Sequence, residues 1–306
     1  MQASGVIPIL LNTKPIALHF HDRSIMIQCL KGRILQGKIM FKGQTIWITG
    51  ASSGIGEALA KQFVQRGASV ILSSRNEAEL ERVCSKCTAA FEGADVHILP
   101  LDVLDEAAME AKVSAACAFT GQIDMLINNA GISQRSLVLD TEMDTYRQLF
   151  DVDFFGQIAL TKALLPLMIK RGSGHIAVTS SVAGKIGVPL RTGYCAVKHA
   201  VMGFFDALRA EMVPHGIQVS TITPGYIKTN IAYNALVGDG SNFARHDKNI
   251  SAGMDVDECA AVIVRGFEKG KPEIAVGKGL EMFGLYAKRF FPRLAFKFAV
   301  KAGGVD

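Results

Sequence analysis

The feature that most constrains the fold is a glycine-rich stretch, Thr49–Gly56, with the sequence TGASSGIG. The apolar run Thr45–Ile48 precedes it and a helical pattern follows it. A strand, a tight glycine turn and a helix in this order form the phosphate-binding crossover of a dinucleotide fold. There Gly50 permits the turn, Gly54 allows the backbone to approach a pyrophosphate, and Gly56 allows the helix to pack on the strand. Taken alone, the same residues also suit an ordinary glycine-rich turn between a strand and a helix.

Beyond this turn, apolar strand-like runs alternate with helical patterns. The alternation predicts a parallel sheet with helices on both faces. Because the strands are apolar almost throughout, both faces of the sheet are expected to be buried. The sequence therefore predicts a doubly wound α/β Rossmann fold, as a single domain over residues 43–277. The expected strands are at about 44–50, 69–74, 96–101, 124–127, 175–179, 217–222 and 273–276, and the expected helices at about 55–66, 77–90, 105–119, 142–171 (with breaks near Gly156 and Pro166), 193–213 and from 255 onward.

The two ends of the chain differ from this pattern. Residues 1–42 are an N-terminal extension in which Asp22 is the one acidic residue, and their short apolar run resembles neither a signal peptide nor a membrane span. We expect a poorly ordered extension or a peripheral targeting segment. Residues 278–306 mix aromatic, aliphatic and basic side chains. Such an amphipathic tail can lie on a membrane, cover a substrate pocket or pair with another subunit.

Composition argues against several other classes of function. The net charge of +5 is too small to indicate a nucleic-acid partner. Six scattered cysteines indicate reduced thiols and an intracellular compartment, and the spacing of Cys84 and Cys87 is interpreted as incidental. No Cys/His cluster or HExxH motif suggests a metal. No apolar run approaches the length of about 18–20 residues that a membrane span needs.

A tyrosine and a lysine four residues apart, Tyr194 and Lys198, are the strongest candidates for chemistry. This spacing puts both side chains on one face of a helix. An ammonium beside a phenol favours the phenolate and lowers a phenol pKa that starts near about 10. Such a phenol can exchange a proton with an alcohol or a carbonyl, which hydride transfer involving a nicotinamide requires. An exposed pair on a helix surface is the alternative for these two residues alone.

Four motifs in this order resemble those of the short-chain dehydrogenase/reductase family: TGASSGIG, NNAG at 128–131, YCAVK at 194–198 and PG at 224–225. The resemblance covers residues 43–277 and implies an enzyme that moves a hydride between a nicotinamide cofactor and a carbonyl/alcohol pair. It implies Tyr194 as the general acid/base, with Lys198 supporting it and holding the nicotinamide ribose. In the family the serine that positions the carbonyl lies thirteen residues before the tyrosine, which selects Ser181 over its neighbour Ser180.

The resemblance also implies the cofactor contacts. The second strand ends at Ser74-Arg75, with no acidic residue before Glu77. A guanidinium there suits the 2′-phosphate of NADP(H), although NAD(H), with Arg75 lying over the adenine, is the alternative. The implied cofactor-binding residues are Gly50, Ser52, Ser53, Gly54, Ile55, Gly56, Arg75, Asp102, Val103, Asn129, Ala130, Gly131, Tyr194, Lys198, Pro224, Gly225, Ile227 and Thr229.

One position departs from the family pattern, since Asp153 stands where an asparagine is usual. In the family this asparagine helps to position a water that links the lysine to solvent. A carboxylate there would stabilise the lysine ammonium but disfavour a tyrosine phenolate. We expect retained activity with a shifted pH profile. One alternative is a cofactor-binding sensor or scaffold with little turnover. Another is a sugar-nucleotide epimerase or dehydratase, against which the Thr49–Gly56 glycine pattern and the compact C-terminal half argue.

The substrate is expected to be a small apolar carbonyl or alcohol, such as a steroid, retinoid or lipid aldehyde. The expected pocket residues are apolar: Val188, Pro189, Leu190, Ile231, Tyr233, Leu236 and Phe243. Together with the tail, this resembles the subgroup of dehydrogenase/reductase member 7 and the 11-beta-hydroxysteroid dehydrogenases. Members of this subgroup usually carry an N-terminal membrane anchor, which is not recognisable in this sequence. We therefore expect the protein to be located either at the endoplasmic reticulum membrane or in the cytoplasm. The resemblance also leaves a homo-oligomer open.

Overall fold

The computed structural model describes residues 41–245 and 247–303. The extension predicted over residues 1–42 therefore lies outside the described residues, apart from Phe41 and Lys42. All described residues belong to one unit, Ile39–Asp306.

Within the described residues, seven parallel strands form one sheet in the order β3-β2-β1-β4-β5-β6-β7. The chain runs outward from β1 to β3 and then returns to add β4 on the other side of β1. This reversal opens a crevice at the carboxyl ends of β1 and β4, where α/β proteins bind ligands. The predicted Rossmann fold is confirmed. The strands are β1 (Thr45–Thr49), β2 (Ser69–Ser73), β3 (Val96–Ile98), β4 (Met125–Asn128), β5 (Gly174–Thr179), β6 (Ile217–Pro224) and β7 (Glu273–Val276).

Helices cover both faces of this sheet, and most of them lie in the connection between one strand and the next. Asn76 begins the second helix as predicted, because its side chain accepts a hydrogen bond from the Glu79 amide at 3.2 Å. The helices are α1 (Gly54–Val64), α2 (Glu77–Ala90), α3 (Met109–Thr120), α4 (Met143–Phe150), α5 (Gly156–Arg171), α6 (Thr192–Met212), α7 (Lys248–Ser251), α8 (Val256–Glu268), α9 (Leu280–Phe290) and α10 (Pro292–Gly303).

The core has two halves, one on each side of the sheet. Alternate residues of β1 serve the two halves: Ile46 and Ile48 pack with α1, α2 and α8, whereas Trp47 packs with α3, α5 and α6. All three side chains are fully buried. The Trp47 Nε1 donates to Ser73 Oγ at 2.8 Å, and that hydroxyl donates to the Leu99 carbonyl at 2.6 Å. The buried indole thus satisfies its polar atom while filling the space beneath the crevice.

The predicted helical stretch 142–171 is interrupted once. Helix α4 passes into a π-helical turn, Asp151–Phe155, and α5 begins at Gly156. The break expected at Gly156 therefore lies at the end of this turn. The break expected at Pro166 is wrong, because Pro166 lies inside α5. By length and composition the whole stretch Met143–Arg171 could cross a membrane, but it packs in the core against α3 and α6.

The cysteine pair Cys84 and Cys87 lies in α2 as free thiols. Burial raises the pKa of both thiols, that of Cys87 to about 11. The reactive thiolate is therefore a minor species at neutral pH, which supports the interpretation of this spacing as incidental.

The packing of α1 on the glycine turn gives a stability prediction for Gly56. A Cβ at this position would lie 2.2 Å from the Gly50 carbonyl oxygen. We therefore expect Gly56→Ala to lower the free energy of unfolding by about 1–3 kcal/mol, measured by urea denaturation. Gly203→Ala is the matched control, because Gly203 lies in α6 with nothing within 4 Å of an added Cβ. The control should gain up to about 1 kcal/mol; equal stability of the two variants would contradict the packing argument.

Candidate active site

A cleft of about 940 Å³ lies along the carboxyl ends of the strands. Of the twenty predicted site residues, eighteen border this cleft and two, Gly56 and Asp153, do not. The predicted residues at the cleft are Gly50, Ser52, Ser53, Gly54, Ile55, Arg75, Asp102, Val103, Asn129, Ala130, Gly131, Ser181, Tyr194, Lys198, Pro224, Gly225, Ile227 and Thr229.

The glycine turn between β1 and α1 forms one wall of the cleft. Gly50 and Gly54 have φ angles of +63° and +57°, which favour glycine. A Cβ on Gly50 would lie 2.8 Å from the Ala130 Cα, so the turn and the end of β4 are in backbone contact. The first amides of α1 are thereby presented at the cleft, where a phosphate would be favoured by the N–H groups and the helix dipole. These residues fit a dinucleotide.

Asn129 ties the ends of three neighbouring strands together. Its Nδ2 donates to the carbonyls of Thr49 at 3.2 Å and Gly50 at 3.3 Å, and its Oδ1 accepts from Thr179 Oγ1 at 3.1 Å. The Thr49 hydroxyl in turn accepts from the amides of Asn129 and Ala130. The cleft floor is therefore fixed by hydrogen bonds between β1, β4 and β5, and Thr179 is a contributor that the sequence did not reveal.

Tyr194 and Lys198 occupy the same face of α6, as predicted, and both are buried. The Lys198 Nζ lies 5.7 Å from the centre of the Tyr194 ring and donates to the Thr179 carbonyl at 3.0 Å. The same Nζ lies 3.0 Å from Oδ2 of Asp153. The ammonium is thus held between the end of β5, the tyrosine and a carboxylate.

Asp153 is completely buried in the π-helical turn. Its Oδ1 accepts from the Ile132 amide at 2.7 Å, and a Cβ on Gly131 would lie 3.1 Å from Oδ2. Burial raises the pKa of the Asp153 carboxyl, against the opposing effects of Lys198 and the Ile132 amide. Burial would lower the pKa of Lys198, but the charges of Asp153 and Tyr194 outweigh it and raise that pKa overall. Asp153 is therefore placed as the counterion of the Lys198 ammonium, at 3.0 Å.

The two serines at the end of β5 have different partners. Ser180 Oγ is buried and donates to the Lys198 carbonyl at 3.1 Å, which anchors β5 to α6. Ser181 Oγ accepts from the Ala183 amide at 3.1 Å and reaches the Pro224 carbonyl at 3.5 Å. Because this last contact is long, the Ser181 hydroxyl is the one that can turn toward a ligand oxygen in the cleft.

Arg75 and Asp102 border the opposite end of the cleft. Arg75 is exposed, and within residues 41–245 and 247–303 its guanidinium has no hydrogen-bond or ion-pair partner. The Asp102 Oδ1 accepts from the Leu104 amide at 3.1 Å. This end of the cleft therefore presents a guanidinium whose donors are available to a phosphate.

The wall beyond Tyr194 is less apolar than predicted. Pro189, Leu190, Tyr233 and Phe243 are not among the residues that border the cleft. Polar side chains that the sequence did not single out take their place. The apolar lining residues here include Ile186, Val188, Ile231, Leu236 and Ile250, and the polar ones include Gln148, Arg191, Asn230, Asn234, Asn242 and Glu281. For Arg191, the available signal was its position one helical turn before Tyr194.

Comparison with known proteins identifies several relatives. A family model described as short chain dehydrogenase matches residues 44–237. The chain is 42% identical to dehydrogenase/reductase SDR family member 7B of Xenopus tropicalis over 255 residues, which is 82% of each chain. It is 39% identical to dehydrogenase/reductase SDR family member 7 of Homo sapiens, covering 84% of this chain and 77% of that one. A short chain dehydrogenase/reductase from Burkholderia phymatum, solved in complex with NAD, matches with a TM-score of 0.69 and 25% identity, covering 77% of this chain and 89% of the other.

Proposed function

Because the chain belongs to the short-chain dehydrogenase/reductase family, we propose that it interconverts an apolar carbonyl compound and its alcohol with NADP(H). One observation carries the proposal. Tyr194, Lys198 and Ser181 border the same cleft as the glycine turn that suits a dinucleotide phosphate. The implied substrate is a steroid, retinoid or lipid-like molecule, in keeping with Ile186, Val188, Ile231 and Leu236 on the wall beyond Tyr194.

In this mechanism the protein handles the proton and orients the substrate. When bound, NADP(H) supplies or accepts the hydride. Ser181 donates a hydrogen bond to the carbonyl oxygen, and Tyr194 protonates that oxygen as negative charge develops on it. In the direction of alcohol oxidation, Tyr194 removes the same proton. The Lys198 ammonium stabilises the tyrosinate that protonation leaves behind.

The geometry of the cleft supports an assignment of the residues that would hold the cofactor. The glycine turn and the first amides of α1 would hold the pyrophosphate, and Asn129, Ala130 and Gly131 would lie along the adenosine ribose. Arg75 would contact a 2′-phosphate, because its guanidinium lies at the end of β2 without another partner among the described residues. This contact is the argument for NADP(H) over NAD(H).

A second candidate function is favoured by the Asp153–Lys198 pair. A carboxylate 3.0 Å from the ammonium offsets the charge that would stabilise a tyrosinate. A protein with this pair could bind the cofactor but turn over slowly, acting as a sensor or scaffold. The activity measurements below separate the two functions.

Turnover with NADPH is the first test of the proposed function. We expect purified protein to oxidise NADPH with at least one member of a panel of retinals, keto-steroids and aliphatic aldehydes. Tyr194→Phe should lower kcat by at least about 10²-fold, because general acid catalysis is typically worth about 10²–10⁴. The measurement is the loss of NADPH absorbance.

The same assay with Arg75→Ala serves as the test of cofactor choice. We expect this variant to raise KM for NADPH by about tenfold or more while leaving KM for NADH nearly unchanged. Equal KM changes for the two cofactors would contradict the 2′-phosphate contact.

In the turnover test, NADPH binding without turnover of any panel member would favour the sensor function over the enzyme.

Asp153 gives a pH prediction. Asp153→Asn removes the negative charge next to Lys198, so the ammonium stabilises the tyrosinate more strongly. We expect the rising limb of kcat/KM for alcohol oxidation to move to lower pH. Asp151→Asn is the matched control, because Asp151 lies in the same π-helical turn but is exposed. An Asp153→Asn profile that coincides with both the wild type and this control would refute the electrostatic role.

We also propose that the C-terminal tail contacts an intracellular anionic membrane, either of the endoplasmic reticulum or one reached from the cytoplasm. Phe283, Tyr286 and Phe290 lie on one face of α9 and are 59–71% exposed. Four exposed basic residues accompany them, namely Lys288, Arg289, Arg293 and Lys297. Aromatic side chains beside basic ones are typical of helices that lie in a membrane interface. Glu281 borders the cleft, so this helix lies beside it.

Sedimentation with vesicles tests this contact. We expect the protein to co-sediment with phosphatidylserine-containing vesicles and much less with pure phosphatidylcholine. Phe283→Ser/Phe290→Ser should reduce binding at least about tenfold, since burial of each aromatic ring contributes about 1.5–3 kcal/mol. Leu139→Ser/Val213→Ser is the control, because these apolar side chains are 94% and 71% exposed outside the tail. Similar losses for both double variants would argue against a specific tail surface.

A further inference from the structure

Arg191 stands at an unusual point of the chain, directly before α6 and three residues before Tyr194. The preceding residue, Leu190, has a φ angle of +63°, a left-handed conformation that bulky side chains rarely adopt. The Ser136 amide donates to the Leu190 carbonyl at 3.0 Å, and Ser136 forms an isolated bridge with Arg191. A neighbouring loop therefore holds the strained backbone in place. Strain that is held in this way tends to occur where a side chain must be placed for binding or catalysis.

Arg191 shares its acidic partner, Asp247, with a second arginine. Its Nη2 lies 3.3 Å from Oδ2 of Asp247, and Arg135 pairs with the same oxygen through its Nη1. The other oxygen, Oδ1, accepts from the amides of Asn249 at 2.8 Å and Ile250 at 3.2 Å. One carboxylate is thus shared by two guanidinium groups, so Asp247 does not saturate Arg191.

The Arg191 guanidinium also has donors to spare. Among the residues that the structure describes, its side chain makes a hydrogen bond only through Nη2, so Nε and Nη1 remain available. Its side chain is 18% exposed and borders the cleft, whereas Arg135 does not border it. Glu281 is an acidic residue of the same wall, but its Oε1 lies 3.3 Å from the Tyr226 amide and 3.2 Å from the Gly279 amide and accepts from both. Glu281 is thus held by backbone amides and does not occupy the spare donors of Arg191, which are open to a ligand oxygen.

We propose that Arg191 binds a carboxylate of the substrate, which makes the substrate an amphiphilic oxo acid or hydroxy acid. This inference rests on the proposed function and narrows its substrate class. Ile186, Val188, Ile231 and Leu236 contact the apolar chain, while Arg191 holds the acidic end. Because Arg191 directly precedes α6 and lies three residues before Tyr194, the acidic end and the carbonyl group are both bound along this wall of the cleft.

The binding arm of the test does not depend on turnover. Protein saturated with NADPH is titrated with octanoate and with octanamide by calorimetry. We expect octanoate to bind at least tenfold more tightly, as a charge-assisted contact requires. Arg191→Gln should abolish this preference and Arg191→Lys should retain part of it. Arg135→Gln is the matched control and should keep the preference, since Arg135 shares Asp247 but does not border the cleft.

The turnover arm compares ω-oxo carboxylates of six to ten carbons with their methyl esters. We expect a KM at least tenfold lower for one of the carboxylates, and no such difference in Arg191→Gln. Failure of octanoate to bind, equal binding of octanoate and octanamide, or an equal loss in Arg135→Gln overturns the proposal. Turnover of the esters without a carboxylate preference would leave the proposed oxidoreductase function intact. Octanoate preference without any turnover would instead support the Arg191 site and count against that function.

Discussion

The close approach of three backbone segments is the constraint on which the site depends. The turn after β1, the end of β4 and the start of α1 touch through main-chain atoms at Gly50, Gly56 and Ala130. A side chain at Gly50 or Gly56 would clash there, so this part of the crevice presents backbone groups. The hydrogen bonds of Asn129 and Thr49 then fix the spacing of β1, β4 and β5. Every other feature of the cleft is placed relative to this floor.

The second determinant is electrostatic, namely the pairing of Lys198 at the cleft with the buried Asp153. Lys198 is buried, and a buried ammonium is costly unless it is paired and hydrogen-bonded. Asp153 and the Thr179 carbonyl meet both needs, at 3.0 Å each. The π-helical turn between α4 and α5 carries the carboxylate, and such turns are common at functional sites. The irregularity in the helix therefore places the carboxylate that pairs with the lysine.

The sequence was sufficient for features that are local. The order of strands and helices follows from the apolar periodicity, and the glycine turn and the Tyr194–Lys198 spacing follow from neighbouring residues. The pocket wall was predicted less well, because its residues come from segments distant in sequence. Arg191 and Asp247 are 56 residues apart. Leucine rarely adopts a positive φ, so the residue type gives no indication of the conformation found at Leu190. The absence of a break at Pro166 likewise depends on packing that supports α5.

Trp47 links the sheet to an optical property of the protein. It is the chain's one tryptophan and is fully buried on β1. Its N–H donates a hydrogen bond to Ser73 at the end of β2. The intrinsic tryptophan emission therefore originates at the centre of the sheet, a few residues before the glycine turn, with no contribution from surface indoles. The native protein should fluoresce at short wavelength, as a water-shielded indole does, and separation of β1 from β2 should move the emission to the red. The molecule thus carries a built-in spectroscopic probe of the strand pair that supports its cleft.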